Sequence, residues 1–102
     1  MLSIGEIIWF DGPISNEMMG LMYRCSHAYV APYQSEGFNL PVLESMASGT
    51  PVLVTRGGST DDFTTARFAR YLTSRVQDRW LEDRKRFRNF QVSKKSLVKE
   101  MR

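Results

Sequence analysis

Two glutamates, Glu36 and Glu44, stand eight positions apart in the stretch EGFNLPVLE, and every residue between them is uncharged. An ionised carboxylate offers hydrogen-bond acceptors and no donors, so Glu44 could bind both vicinal hydroxyls of a ribose and Glu36 could bind a sugar hydroxyl. Glu36 could also stabilise positive charge that develops at a sugar carbon. A glutamate in the first turn of a helix commonly serves only the helix dipole, and that alternative stays open for Glu44.

The residues that follow Glu36 predict a helix. Asn39 or Leu40 is placed to cap it, Pro41 fits its first turn, and Gly49 is the expected left-handed stop. The unpaired N–H groups and the positive dipole end at the start of such a helix favour a phosphate, and Gly37 lets the backbone approach a ligand closely. The two carboxylates are therefore predicted to lie beside a phosphate-binding helix terminus.

Strands and helices alternate through the first part of the chain. The apolar run 7–10 predicts a buried strand, and Ser15 is placed to cap a helix over about 16–25. A second strand is predicted at 28–32, and the continuous apolar run 51–55 is typical of a strand covered on both faces. This order predicts an α/β fold with a Rossmann-like parallel sheet and flanking helices.

Two loops follow predicted strands directly, at 33–38 and 56–60. Ligands of parallel α/β sheets bind beyond the carboxyl ends of the strands, so these loops are the predicted ligand-binding edge. Arg56 is a candidate for contacting a diphosphate from the second loop. Asp61 and Asp62 come directly after it, and we expect them to start a helix or hold a turn.

Charge divides the chain into two parts. Residues 1–63 hold two basic and seven acidic side chains, a net charge of −5, whereas residues 64–102 hold twelve basic and four acidic ones, a net charge of +8. We predict a partial α/β domain over 1–63 and a basic, mostly helical tail over 64–102. No apolar run approaches the roughly 20 residues of a membrane span, and the lone Cys25 fits a reducing compartment, so we expect a cytoplasmic location.

The basic tail interleaves Arg84, Lys85 and Arg86 with Phe87 and Phe90. Such a pattern can bind single-stranded nucleic acid or phosphate on a membrane surface. We favour a solvated helix or tail that packs its aromatic side chains on the sheet. Nucleic acid is therefore not an expected partner, and a membrane surface stays an alternative.

Much of the first part of the chain resembles one protein family. The matching residues are YR at 23–24, AYVAP at 28–32, EGFNLPVLESMASGTPV at 36–52 and GG at 57–58. They resemble the C-terminal nucleotide-sugar-binding domain of group 1 (family 4) glycosyltransferases, which are retaining enzymes of the two-domain GT-B fold. The resemblance covers about residues 5–63, and Asn39 stands where many members have glycine.

The resemblance implies a role for each residue of the motif. Glu36 would act at the donor sugar as the catalytic residue, and Glu44 would bind the ribose of a nucleoside-diphosphate sugar. The backbone of Gly37, Phe38, Asn39 and Leu40 would approach the sugar and the diphosphate. No metal or other cofactor is implied, because side chains and the helix terminus supply the counter-charge. Transfer in the family is usually described as a front-face displacement.

Other parts of the family's architecture have no match in this sequence, namely the acceptor domain and the first strands of the donor domain with their basic residues. We therefore expect a fragment or truncated gene product that shows no transfer by itself. The acceptor, whether glycan, lipid or protein, is not implied. The alternative is a non-catalytic nucleotide-binding or protein-interaction fragment, with self-association through an open sheet edge.

Overall fold

The computed structural model describes residues 2–4, 7–80 and 86–102, and strands and helices alternate through them. The elements are β1 (Leu2–Ile4), β2 (Ile7–Trp9), α1 (Asn16–Cys25), β3 (Tyr29–Ala31), α2 (Leu40–Ala47), β4 (Val52–Thr55), a short 3₁₀ helix (Ser59–Asp62), β5 (Ala69–Leu72), β6 (Ser74–Trp80), β7 (Arg86–Val92) and α3 (Lys94–Glu100). Among these, no helix is both long and apolar enough to cross a bilayer.

The core is built on a parallel sheet in the order β3-β4-β5. Val54 in β4 pairs with Ala31 on one side and with Tyr71 on the other. Every residue of β4 is buried, as the continuous apolar run predicts for a strand covered on both faces. Val42 of α2 packs on this sheet and is fully buried. The predicted α/β fold with a parallel sheet and flanking helices is confirmed.

The two predicted helices begin and end close to their expected positions. The Ser15 side chain accepts a hydrogen bond from the Met18 N–H at 3.2 Å and so caps α1, which spans 16–25 as predicted. Asn39 occupies the N-cap position of α2 in the left-handed conformation with φ of 65°, and its side chain makes no capping hydrogen bond. Gly49 follows α2 at φ of 82° and is the expected left-handed stop.

The prediction of a buried strand at 7–10 is wrong about burial. Ile7–Trp9 is a strand, but it pairs antiparallel with Leu2–Ile4 and lies outside the parallel sheet. The side chains of the run are 50–68% exposed. An apolar run indicates which side chains gain from burial, but a covering surface must come from elsewhere in the fold, and the described residues provide none here.

The prediction of a mostly helical tail is also wrong. Residues 69–72 form the third parallel strand of the core sheet, and 74–80 pair with 86–92 as a long antiparallel hairpin, so the only described helix beyond residue 64 is α3. Leu72 is fully buried because its strand, β5, pairs with β4. Local periodicity in the sequence does not reveal that pairing. Arg84 and Lys85 of the predicted basic cluster lie outside the described residues.

The sheet has two edges within the described residues, β3 and β5. Self-association through an edge stays a prediction. The division into units at residues 1–63 and 64–102 also stays a prediction. Strand β5 of the parallel sheet lies in the second of these ranges.

Leu72→Ala tests whether β5 belongs to the core. The substitution empties a fully buried position, so we expect the free energy of unfolding to fall by about 2–5 kcal/mol. Val76→Ala is the matched control, because Val76 is 56% exposed on β6 and its truncation should change stability by less than about 1 kcal/mol. Urea unfolding measures both, and equal small losses would place β5 outside the core.

Candidate functional site

Tyr33 fixes the loop that carries Glu36. Its hydroxyl donates to the Thr55 carbonyl oxygen at 3.3 Å, accepts from the Thr60 N–H at 3.3 Å and lies 2.7 Å from Thr60 Oγ1. The Thr55 hydroxyl in turn donates to the Tyr33 carbonyl oxygen at 2.7 Å. The loop after β3 is thus bonded to the end of β4 and to the 3₁₀ helix, so the two predicted ligand-side loops lie together.

Two glycines make room for this arrangement. A Cβ atom on Gly58 would collide with the Tyr33 ring, whose Cε2 atom would lie at 2.6 Å. Gly57 has φ of 86°, and a Cβ there would meet the Phe90 ring at 3.3 Å. The Phe90 N–H also donates to the Gln34 carbonyl oxygen at 2.6 Å. The Gly57-Gly58 pair therefore lets the hairpin β6–β7 and Tyr33 pack on the same turn.

Glu44 lies in the second turn of α2 and is held by α1. The Tyr23 hydroxyl donates to Glu44 Oε2 at 3.2 Å, while the Thr50 hydroxyl donates to the Tyr23 carbonyl oxygen. Burial, and after it the hydrogen bond and the negative charge of Glu44, raise the pKa of Tyr23 to about 12. Tyr23 is therefore a neutral donor to the carboxylate at physiological pH.

The negative charges of both glutamates act on Tyr29. Its pKa is raised first by burial, then by the charge of Glu36 and then by that of Glu44. Its ring also meets the Tyr23 ring edge to face, with centroids 5.8 Å apart. Both carboxylates therefore act electrostatically on Tyr29, the first residue of β3.

The five residues from Glu36 to Leu40 that the resemblance singles out differ in exposure. Glu36 and Gly37 are exposed, and nothing lies within 4 Å of a Cβ added to Gly37. Phe38 is half exposed and stacks on Phe63 with ring centroids 4.9 Å apart. Asn39 is buried, whereas Leu40 is 57% exposed as the first residue of α2.

A groove between α1 and α2 borders Glu44. It has a volume of about 360 Å³. Its lining residues are Asn16, Met19, Gly20, Tyr23, Glu44, Ala47 and Ser48. The carboxylate is therefore accessible from solvent on this side while Tyr23 holds one of its oxygens.

The second loop uses its charged residues within the fold. The Asp61 carboxylate accepts a hydrogen bond from the Gly57 N–H at 2.9 Å, which confirms that it holds a turn. The Arg56 guanidinium lies 4.6 Å from the centroid of the Tyr71 ring. Contact of Arg56 with a diphosphate stays a prediction, and it requires the side chain to leave that ring.

Within residues 2–4, 7–80 and 86–102, no three His, Cys, Asp or Glu side chains come together as a metal-binding group. Metal-independent transfer stays a prediction, as do the individual roles of Glu36, Glu44 and the backbone of 37–40.

Three tyrosines contact or border the candidate site residues in ways that the sequence did not reveal. Tyr23 holds Glu44, Tyr29 lies near both carboxylates, and Tyr33 ties the loop to β4. Tyr23 stood in the matching motif, but its partner is 21 positions away and only tertiary packing identifies it. For Tyr33 the sequence offered one signal, its position at the start of a predicted ligand-side loop.

Comparison with known proteins gives a consistent result. The profile described as "Glycosyl transferases group 1" matches residues 2–89. The MMP alpha-(1->4)-mannosyltransferase of Mycolicibacterium hassiacum is 34% identical over 58 residues, 57% of this chain and 14% of that protein. The D-inositol 3-phosphate glycosyltransferase of Nocardiopsis dassonvillei is 37% identical over 57 residues, 56% of this chain and 13% of that protein. The matched segment is thus a small part of each relative. No solved structure matches significantly.

Gly58→Ala tests the contact between the two loops. The added methyl group must displace the Tyr33 ring, so we expect a loss of about 1–3 kcal/mol in unfolding free energy. Gly20→Ala is the control, because nothing lies within 4 Å of its added Cβ and the helix should gain up to about 1 kcal/mol. In a Tyr33→Ala background Gly58→Ala should become nearly neutral. An undiminished loss there would contradict the contact.

The raised pKa of Tyr23, caused first by burial and then by Glu44, predicts a stability change at high pH. The folded-state pKa of Tyr23, about 12, lies above the ordinary value of 10.0, so its contribution is complete below pH 10 and is lost as the pH rises toward 12. Tyr23→Phe should remove this part of the decline, measured by urea unfolding across the window. Glu44→Gln should lower the pKa of Tyr23, measured by absorbance titration of the phenolate. The control Glu17→Gln should leave that pKa unchanged. An unchanged Tyr23 pKa in Glu44→Gln would contradict the pairing.

Proposed function

Since the chain belongs to the group 1 glycosyl transferases, we propose that its ligand-side loops and α2 bind a nucleoside-diphosphate sugar for transfer with retention of configuration. One observation carries the proposal: the loop from Tyr33 runs directly into the start of α2, and Glu44 is held one turn further on by Tyr23. The printed names of the relatives, a mannosyltransferase and a glycosyltransferase, support the reaction class.

The start of α2 is suited to the diphosphate. Asn39 adopts a left-handed backbone and its side chain does not cap the helix, while Pro41 has no N–H to offer. The donors left at this terminus are backbone N–H groups of the loop and of Leu40, aligned with the positive end of the helix dipole. Gly37 has an open Cβ position, so its own fold gives no packing reason for glycine there. Close approach of the donor supplies one.

Glu44 is suited to the ribose. Tyr23 occupies Oε2, which fixes the orientation of the carboxylate and leaves Oε1 and the remaining lone pair of Oε2 as acceptors. Two vicinal hydroxyls can donate to such a carboxylate together. Because Tyr23 stays protonated far above neutral pH, it remains a donor throughout the physiological range.

Glu36 is assigned to the sugar. In the proposed transfer the bond between the anomeric carbon and the phosphate oxygen breaks, and the acceptor oxygen bonds to the same face of that carbon. The acceptor proton passes to the leaving phosphate oxygen. The exposed carboxylate of Glu36 stabilises the positive charge that develops on the sugar ring.

Nucleotide binding tests the ribose assignment. We expect the chain to bind UDP or GDP in calorimetric titration, and Glu44→Ala to weaken binding about 10- to 100-fold through loss of charge-assisted hydrogen bonds. Glu17→Ala, an exposed glutamate on α1, is the matched control and should bind normally. The parent chain should bind the 2′-deoxynucleotide more weakly than the ribonucleotide. Glu44→Ala should bind the two nucleotides equally. A deoxy effect that persists in Glu44→Ala would remove the ribose assignment.

Gly37→Ala tests the approach of the donor backbone. The open space around Gly37 means that the added methyl group meets nothing in the protein, so stability should be unchanged within about 0.5 kcal/mol. Nucleotide affinity should nevertheless fall at least about 10-fold if the diphosphate approaches this backbone. Normal affinity in a normally folded variant would place the phosphates elsewhere.

The exposed run at Ile7, Ile8, Trp9 and Phe10 favours a second candidate, a protein-interaction unit without transfer. Exposed contiguous apolar side chains are typical of binding surfaces. The same titration separates the candidates, because an interaction unit alone binds neither UDP nor GDP.

A further inference from the structure

The exposed side of α3, together with the two residues that follow the helix, presents a basic face with an apolar centre. We define this basic face by six residues: Lys94, Lys95, Val98, Lys99, Met101 and Arg102. Positions three or four apart lie on the same side of a helix, which brings Val98 beside Lys94 and Lys95. Arg102, just beyond the helix, lines the same groove as these three residues. Val98 is 53% exposed and Met101 is 62% exposed.

The orientation of α3 is fixed by its opposite side. The Ser93 side chain accepts from the Ser96 N–H at 3.3 Å, and Ser96 Oγ accepts from the Thr73 N–H at 2.9 Å. Leu97 is half-buried, and the helix packs on β5. The helix is therefore held on the sheet, and the basic face must point to solvent.

Positive charge is concentrated on this side. The basic face carries four cations, three on α3 and Arg102 after it, and they line one groove with Val98. The helix's one acidic residue, Glu100, is half-buried and borders a second groove with Ser96, which Lys95 and Lys99 also line. Lys94 also borders a groove of about 540 Å³ at the base of the β6–β7 hairpin, where Arg75 adds a fifth cation. Clusters of four or more lysines and arginines on an amphipathic helix attract anionic surfaces.

The apolar centre distinguishes between anionic partners. Nucleic acid is gripped by cations together with aromatic side chains on which bases stack, and the basic face contains no aromatic residue. Phe90, an aromatic residue of the predicted nucleic-acid pattern, is 7% exposed and packs on Gly57 instead. Flexible apolar side chains ringed by cations suit the headgroup boundary of a bilayer, where the cations meet phosphate and the apolar atoms meet acyl chains.

We propose that the basic face of α3 docks on an anionic lipid bilayer, with Val98 and Met101 inserted at the headgroup boundary and the four cations on lipid phosphates. The contact orients the sheet relative to the membrane through β5. This binding is independent of the proposed nucleotide site, which lies on other elements.

Flotation with vesicles tests the proposal with the full 102-residue chain. We expect binding to vesicles of phosphatidylcholine with about a third phosphatidylserine, weakening steeply with salt, and little binding to pure phosphatidylcholine. Lys95→Glu/Lys99→Glu should lower the partition coefficient at least about 20-fold, at roughly five-fold or more per lost cation. The control Arg24→Glu/Arg67→Glu changes net charge equally at exposed sites elsewhere and should keep most of the binding.

A second pair of variants separates a bilayer from a general polyanion. Val98→Ser/Met101→Ser should reduce vesicle binding several-fold while leaving all charges in place. Circular dichroism verifies that each variant folds. Equal losses in the lysine variant and the arginine control, or unchanged vesicle binding after loss of both apolar side chains, would overturn the proposal. Tighter binding to a single-stranded oligonucleotide than to the anionic vesicles would overturn it as well.

Discussion

The burial of both faces of β4 is the constraint on which the rest of the structure depends. Val52–Thr55 is fully covered and shares its backbone hydrogen bonds with a parallel neighbour on each side. Parallel neighbours require crossovers, so α2 and the 3₁₀ segment must return the chain to the same end of the sheet. That requirement brings the loop with Glu36 and the turn at Gly57 to one edge. The candidate site is therefore a consequence of the sheet topology.

Hydrogen bonds from neutral hydroxyl groups hold the described residues of the candidate site. Tyr33 ties its loop to Thr55 and Thr60, and Tyr23 ties Glu44 to α1. A neutral phenol can hold a carboxylate without cancelling its charge, so the carboxylate remains a strong acceptor for a ligand hydroxyl. Burial raises the pKa values of Tyr23 and Tyr29, and it keeps Tyr23 a donor to Glu44.

The C-terminal segment completes the fold and separates its charges. Leu72 of β5 closes the core against β4, and Phe90 of β7 covers the turn at Gly57. The cations of α3 stay on the solvent side because Ser96 accepts a hydrogen bond from Thr73, directly after β5. A segment with a net charge of +8 thus contributes buried apolar residues to one surface and a basic face to another.

Local signals in the sequence determined α1, α2 and β4 almost to the residue, because Ser15, Gly49 and the run 51–55 each fix backbone conformation or burial through nearby neighbours. They also identified the family through the glutamate motif and the helix that joins its two ends. Only tertiary structure decided that Ile7–Trp9 lies exposed and that β5, β6 and β7 are strands. It alone paired Tyr23 with Glu44 and Tyr33 with Thr55. Strand pairing and side-chain partners across twenty or more positions depend on which surfaces meet, and local periodicity carries no information about that.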